Sequence, residues 1–61
     1  MPNVQIDMAE GRTLEQKREA AQKITQVISD VFKCPPDAVV ITMRELPRTN
    51  FAKAGVLLSD K

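Results

Sequence analysis

Among the groups that commonly do chemistry in proteins, this chain of 61 residues offers very few. It has no histidine. Ser29 and Ser59 lack a partner base, and Cys34, the only cysteine, has no histidine to activate it. There is no glycine-rich phosphate loop, and the carboxylates show no metal-ligand spacing. What remains is Met1-Pro2. Proline is small, and an initiator methionine is commonly removed before it. The group then exposed is a secondary amine on a rigid ring. An ordinary α-amine has a pKa of roughly 7.7–8.0. Partial burial, or a nearby cation such as Arg12, favours its neutral form. A neutral amine near that pH is a competent general base and a nucleophile towards carbonyls. Many chains begin Met-Pro to no chemical purpose, so the pair alone also fits an inert start.

The elements that would position these groups follow from the apolar pattern. Asn3 to Met8 alternates, with Val4, Ile6 and Met8 on one side, and predicts a half-buried strand. Glu10-Gly11-Arg12 breaks it, and Gly11 permits a turn. Thr13-Leu14-Glu15-Gln16 has capping-box form. Glu15 adds a favourable charge near the positive end of the helix that follows. Leu14, Ala20, Ala21, Ile24, Val27, Ile28 and Val31 recur at threes and fours, which predicts one core-facing stripe. Lys17, Arg18, Gln22, Lys23, Gln26 and Asp30 fall on the polar face. Pro35 and Pro36 stop the helix near Phe32 or Lys33. Val39 to Glu45 alternates again, a second strand ended by Leu46-Pro47. Strand, helix and strand make a βαβ unit, expected parallel with a right-handed crossover. Phe51 to Leu58 reads as a short hairpin with Gly55 near its turn. The fold class is therefore α/β (α+β), one domain over residues 1–61.

Size and charge bound the rest. A chain this short buries only ~60% of the surface its unfolded form exposes. Small domains add disulfides, metals or subunits. One cysteine excludes a disulfide within the chain, and a closed metal site has no ligand set here. Oligomerisation is what remains, and the open edges of a two-stranded sheet invite it. The 43% hydrophobic content agrees. A net charge of +1 gives no drive towards nucleic acid or membrane. Phe32 and Phe51 are the only aromatics, so no base-stacking platform exists. No apolar run approaches the ~20 residues of a membrane span. A lone thiol with no signal-like stretch suits a reducing cytoplasm.

Taken in order, these motifs resemble the 4-oxalocrotonate tautomerase family over nearly the whole chain. Met1-Pro2 opens a strand; Glu10-Gly11-Arg12-Thr13 and Glu15-Gln16-Lys17 form the most specific local match; Glu45, Asn50-Phe51 and Ala54-Gly55 fall at family-like spacing. The resemblance implies a βαβ unit with a C-terminal hairpin. It implies sheets joined between two subunits, and a homo-oligomer that is typically a hexamer, a trimer of dimers. It implies a small-molecule partner, an unsaturated oxo or hydroxy acid, and no cofactor or metal. Carried over, Pro2 is the base and then the acid. Arg12 binds a substrate carboxylate, commonly from a neighbouring subunit, and Phe51 lines the apolar part of the pocket. Each has a plainer reading: Arg12 solvated or paired with Glu10 or Glu15, Phe51 as oligomer core.

One departure from the family matters. Well-characterised dicarboxylate members carry a second arginine early in the second strand, and here that place holds Val40. Losing one preorganised donor typically costs on the order of 3 kcal/mol in the transition state. Arg44 shares a strand face with Val40 but lies ~13 Å along it; it is a stand-in only if its side chain reaches back. Arg48 and Lys53 are weaker candidates near Phe51. The expected reaction is tautomerisation, with a preference for monoacid enols. The alternatives are a hydratase- or dehalogenase-like relative, for which no water-activating Glu is evident in the tail, and a non-catalytic subunit of a mixed oligomer.

Overall fold

The computed structural model describes all 61 residues. Strand β1 runs Asn3–Ala9, helix α1 Leu14–Phe32 and strand β2 Val40–Leu46. The two strands are parallel, in a register that sets Asn3 against Val40, Asp7 against Arg44 and Ala9 against Leu46. Val4, Ile6, Met8, Val39, Ile41 and Met43 are half-buried, while Asn3, Gln5, Asp7, Val40, Thr42 and Arg44 are exposed on the opposite face. This is the period-two pattern of a sheet covered on one side.

The helix is set by local chemistry. Gln16 N donates to Thr13 Oγ1 at 3.1 Å, and Thr13 N donates to Gln16 Oε1 at 2.9 Å, which closes the expected capping box. At the other end Lys33 takes φ 56°, and Ser29 Oγ donates to Cys34 O at 2.6 Å. These bonds satisfy carbonyls and amides that a helix end leaves open. Pro36–Ala38 then form a short 3-10 turn not expected from the sequence.

Strands β3 (Ala52–Lys53) and β4 (Val56–Leu57) form the expected antiparallel hairpin. Its two turn residues, Ala54 and Gly55, have φ of 53° and 82°. Two positive φ values are the mark of a type I′ turn, which suits a tight two-residue hairpin. No helix is long and apolar enough to cross a membrane.

The core is only half made. No residue of the 61 is buried. Ala20, Ala21, Ile24 and Ile28 are partly covered by the sheet, but Leu14, Val27 and Val31 stay exposed at 60%, 59% and 66%. That departs from the expected seven-residue stripe, and the reason is geometric. The 19-residue helix is about 28 Å long, whereas seven-residue strands reach about 23 Å and only two lie side by side. The Cα radius of gyration is 14.6 Å, against ~10.5 Å for a compact domain of this length. The accessible surface is 4795 Å², roughly 800 Å² above the value for a compact monomer of this mass.

Candidate active site

Pro2 sits just before β1 and is half-buried. Its carbonyl accepts from Val40 N at 3.0 Å, which fixes it beside the start of β2. Met1 is 83% exposed, so its removal loses little packing. Val40 lies one step from Pro2 across the ladder, 38% exposed on the uncovered face of the sheet. Val40 is apolar, so that position of β2 offers no hydrogen-bond donor from its side chain.

Arg12 lies beyond the opposite end of β1, in the turn that leads into α1. Gly11 makes that turn with φ 121°, a region open to glycine and strained for other residues. Arg12 forms no ion pair or hydrogen bond within the chain. Glu15, one partner weighed for it, is engaged by Arg18 instead. Ile6, Met8, Ala20 and Met43, with Arg12, Gln16 and Lys17, line an open cavity of about 260 Å³ between helix and sheet. An unpaired guanidinium over an apolar cavity can hold a carboxylate bidentately while the substrate's carbon chain leaves water.

Phe51, 39% exposed, lies in the C-terminal arm. With Lys53, Val56, Leu58 and Lys61 it lines a shallow recess of about 40 Å³. Leu58 N donates to Phe51 O at 2.8 Å and ties the arm's end to its start.

Within one chain these residues do not meet. Pro2 and Arg12 flank a strand about 23 Å long. Arg12 and Phe51 line different cavities, and Pro2 lines neither. Arg44 stands on the uncovered sheet face, where its Nε lies 3.2 Å from Asp7 Oδ1 and its guanidinium lies beside Gln5. Gln5 stands opposite Thr42, so the guanidinium reaches back to the middle of the strand pair and stops short of Pro2.

Sequence reasoning missed Lys17. It was assigned to the polar face, yet it is half-buried and its Nζ meets Glu45 Oε1 at 2.5 Å. The partners are 28 residues apart, and no local spacing announces a contact at that separation.

A family model described as tautomerase enzyme matches residues 2–61. A probable tautomerase of Bacillus cereus is 39% identical over 61 residues, all of both chains. The 2-hydroxymuconate tautomerase of Bacillus subtilis is 37% identical over 60 residues, 98% of this chain and 97% of that one. A crystal structure of a 4-oxalocrotonate tautomerase homologue superposes with a TM-score of 0.96 at 34% identity, covering 100% of this chain and 97% of the other. A heterohexamer 4-oxalocrotonate tautomerase from Chloroflexus aurantiacus gives 0.92 at 30% identity, covering 98% and 97%. By its βαβ-hairpin fold and these likenesses over full length, the chain belongs to the 4-oxalocrotonate tautomerase family of the tautomerase superfamily, a family of isomerases.

Proposed function

We propose that this protein ketonises unsaturated 2-hydroxy acids at a site shared between subunits, with the Pro2 amine, freed by loss of Met1, as base and then acid. The amine takes the proton of the enol hydroxyl. The electron pair closes to a carbonyl at C2, and the ammonium returns a proton to C3, or to C5 in a dienol. Arg12 of a second copy holds the carboxylate and stabilises the dienolate as its charge develops. Phe51 closes an apolar wall that keeps water out and the amine neutral.

The observation that carries this reading is Arg12, a guanidinium without a partner in its own chain, among the residues that line a mostly apolar cavity. Its distance from Pro2 supports a shared site. Strand β1 has one edge free, because the sheet contains only β1 and β2. Two β1 strands paired antiparallel through those edges would set the Pro2 end of one beside the Arg12 end of the other. The same pairing supports a homo-oligomer, with a trimer of dimers as the proposed state.

Val40 beside Pro2 supports a monoacid substrate, since no second guanidinium stands there to receive a second carboxylate. The test follows the ultraviolet absorbance of phenylenolpyruvate and of 2-hydroxymuconate as they ketonise. Turnover of the monoacid with the larger kcat/KM, and an increased KM in Arg12→Gln, is expected. Failure to turn over either acid would refute the reading. A mixed assembly with an unlike chain is the second reading, favoured by Val40 and by the heterohexameric relative. Native mass spectrometry separates it: that reading needs a purified chain that neither assembles nor turns over alone.

A further inference from the structure

We propose that Lys17 is a positioning residue for Arg12, acting through its ion pair with Glu45. The inference rests on the reading of Arg12 as the carboxylate-binding group.

Arg12 sits in a turn with little to hold it. A Cβ added at Gly11 would meet nothing within 4 Å, so no packing holds the turn at that residue. What fixes it is a closed ring of links. Glu10 N donates to Leu46 O at 3.0 Å, which anchors the start of the turn to the end of β2. Thr13, at its other end, is held by the capping box and accepts from Lys17 N at 3.1 Å. The Lys17 side chain then returns to β2, at Glu45, next to the residue that holds Glu10. Arg12 hangs in the span that this ring closes.

The Lys17–Glu45 pair differs from the others in the chain. Its side chains are 28% and 35% exposed, whereas every side chain in the other three pairs is at least 59% exposed. Those three stay within the helix or within the sheet. Lys17–Glu45 is the one ion pair or side-chain hydrogen bond that joins α1 to the sheet. Lys17 also borders the same cavity as Arg12. Opening the pair frees the helix start to shift on the sheet, and the guanidinium moves with it.

The test is steady-state ketonisation of phenylenolpyruvate by the full-length oligomer, in Lys17→Met, Glu45→Gln and the exchanged pair Lys17→Glu with Glu45→Lys, each also combined with Arg12→Gln. Both single variants should raise KM by about fivefold, the factor a half-exposed ion pair is worth, with kcat within about twofold. The exchanged pair should restore KM. In the Arg12→Gln background neither variant should raise KM further, because the group being positioned is gone. An unchanged KM in both singles overturns the proposal. So does a rise in Lys17→Met alone, which would make Lys17 a direct ligand, or an equal added rise without Arg12, which would mean general damage. If Arg12→Gln itself leaves KM unaltered, the carboxylate-binding reading has failed first, and that result is distinct from the others.

Discussion

Val27→Lys should take the assembly apart. In the isolated chain Val27 is 59% exposed in the middle of α1, and a lysine at a truly exposed helix position changes stability by no more than about 0.5 kcal/mol. If a second subunit covers the residue, two terms appear. Full burial of a valine is worth about 1.5 kcal/mol or more, so covering the exposed part contributes roughly 1 kcal/mol, which the substitution loses. The lysine ammonium must also be desolvated without a partner, at several kcal/mol per ion. The same loss repeats in every symmetry-related subunit. Surface accounting agrees on scale: the excess of roughly 800 Å² is about one partner's share of a standard interface. Light scattering on a sizing column, with thermal unfolding at several concentrations, measures the effect. Wild type should be an oligomer whose midpoint rises with concentration. Val27→Lys should run small and melt early, while Gln22→Lys, on an exposed polar position of the same helix, should match wild type. A monomeric wild type with a concentration-independent midpoint would refute the reasoning.

Further outcomes follow from the same geometry. Pro2→Ala and Arg12→Gln, each inactive or weak alone, should recover up to about a quarter of wild-type sites when unfolded and refolded together, since a mixed symmetric assembly pairs an intact proline with an intact arginine from another chain; recovery on mixing fails if both groups serve one chain. Thr13→Ala removes the cap and should cost about 1 kcal/mol in urea unfolding. Val40→Arg places a donor one step from Pro2 and should raise kcat/KM for 2-hydroxymuconate relative to phenylenolpyruvate by ~10²-fold, the scale of one preorganised charge-stabilising donor; an unaltered ratio would remove Val40 as the selectivity position.

What could be read in the sequence was what short-range chemistry decides. The capping box needs only Thr13 and Gln16, three positions apart, and both of its bonds are present. The alternating runs placed β1 and β2 to within a residue or so, and Gly55 marked the hairpin. Ala54 at φ 53° carried no such signal, because alanine rarely adopts that region. The apolar stripe of α1 was legible as a pattern, but not how far one chain could cover it. A seven-residue, two-stranded sheet is too small to hide Leu14, Val27 and Val31. The site was legible as residue types, and its dispersal follows from the length of β1. Lys17–Glu45 was invisible, because the pair exists only once the helix has folded back over the sheet.

The most direct test of Pro2 as the base is the ketonisation rate of phenylenolpyruvate by wild type, with intact mass confirming loss of Met1, against Pro2→Ala processed in the same way. Replacing the positioned secondary amine should lower kcat/KM by about 10²-fold or more, the usual contribution of a general base. Equal rates in the two proteins, or full activity in a wild type that retains Met1, would contradict it.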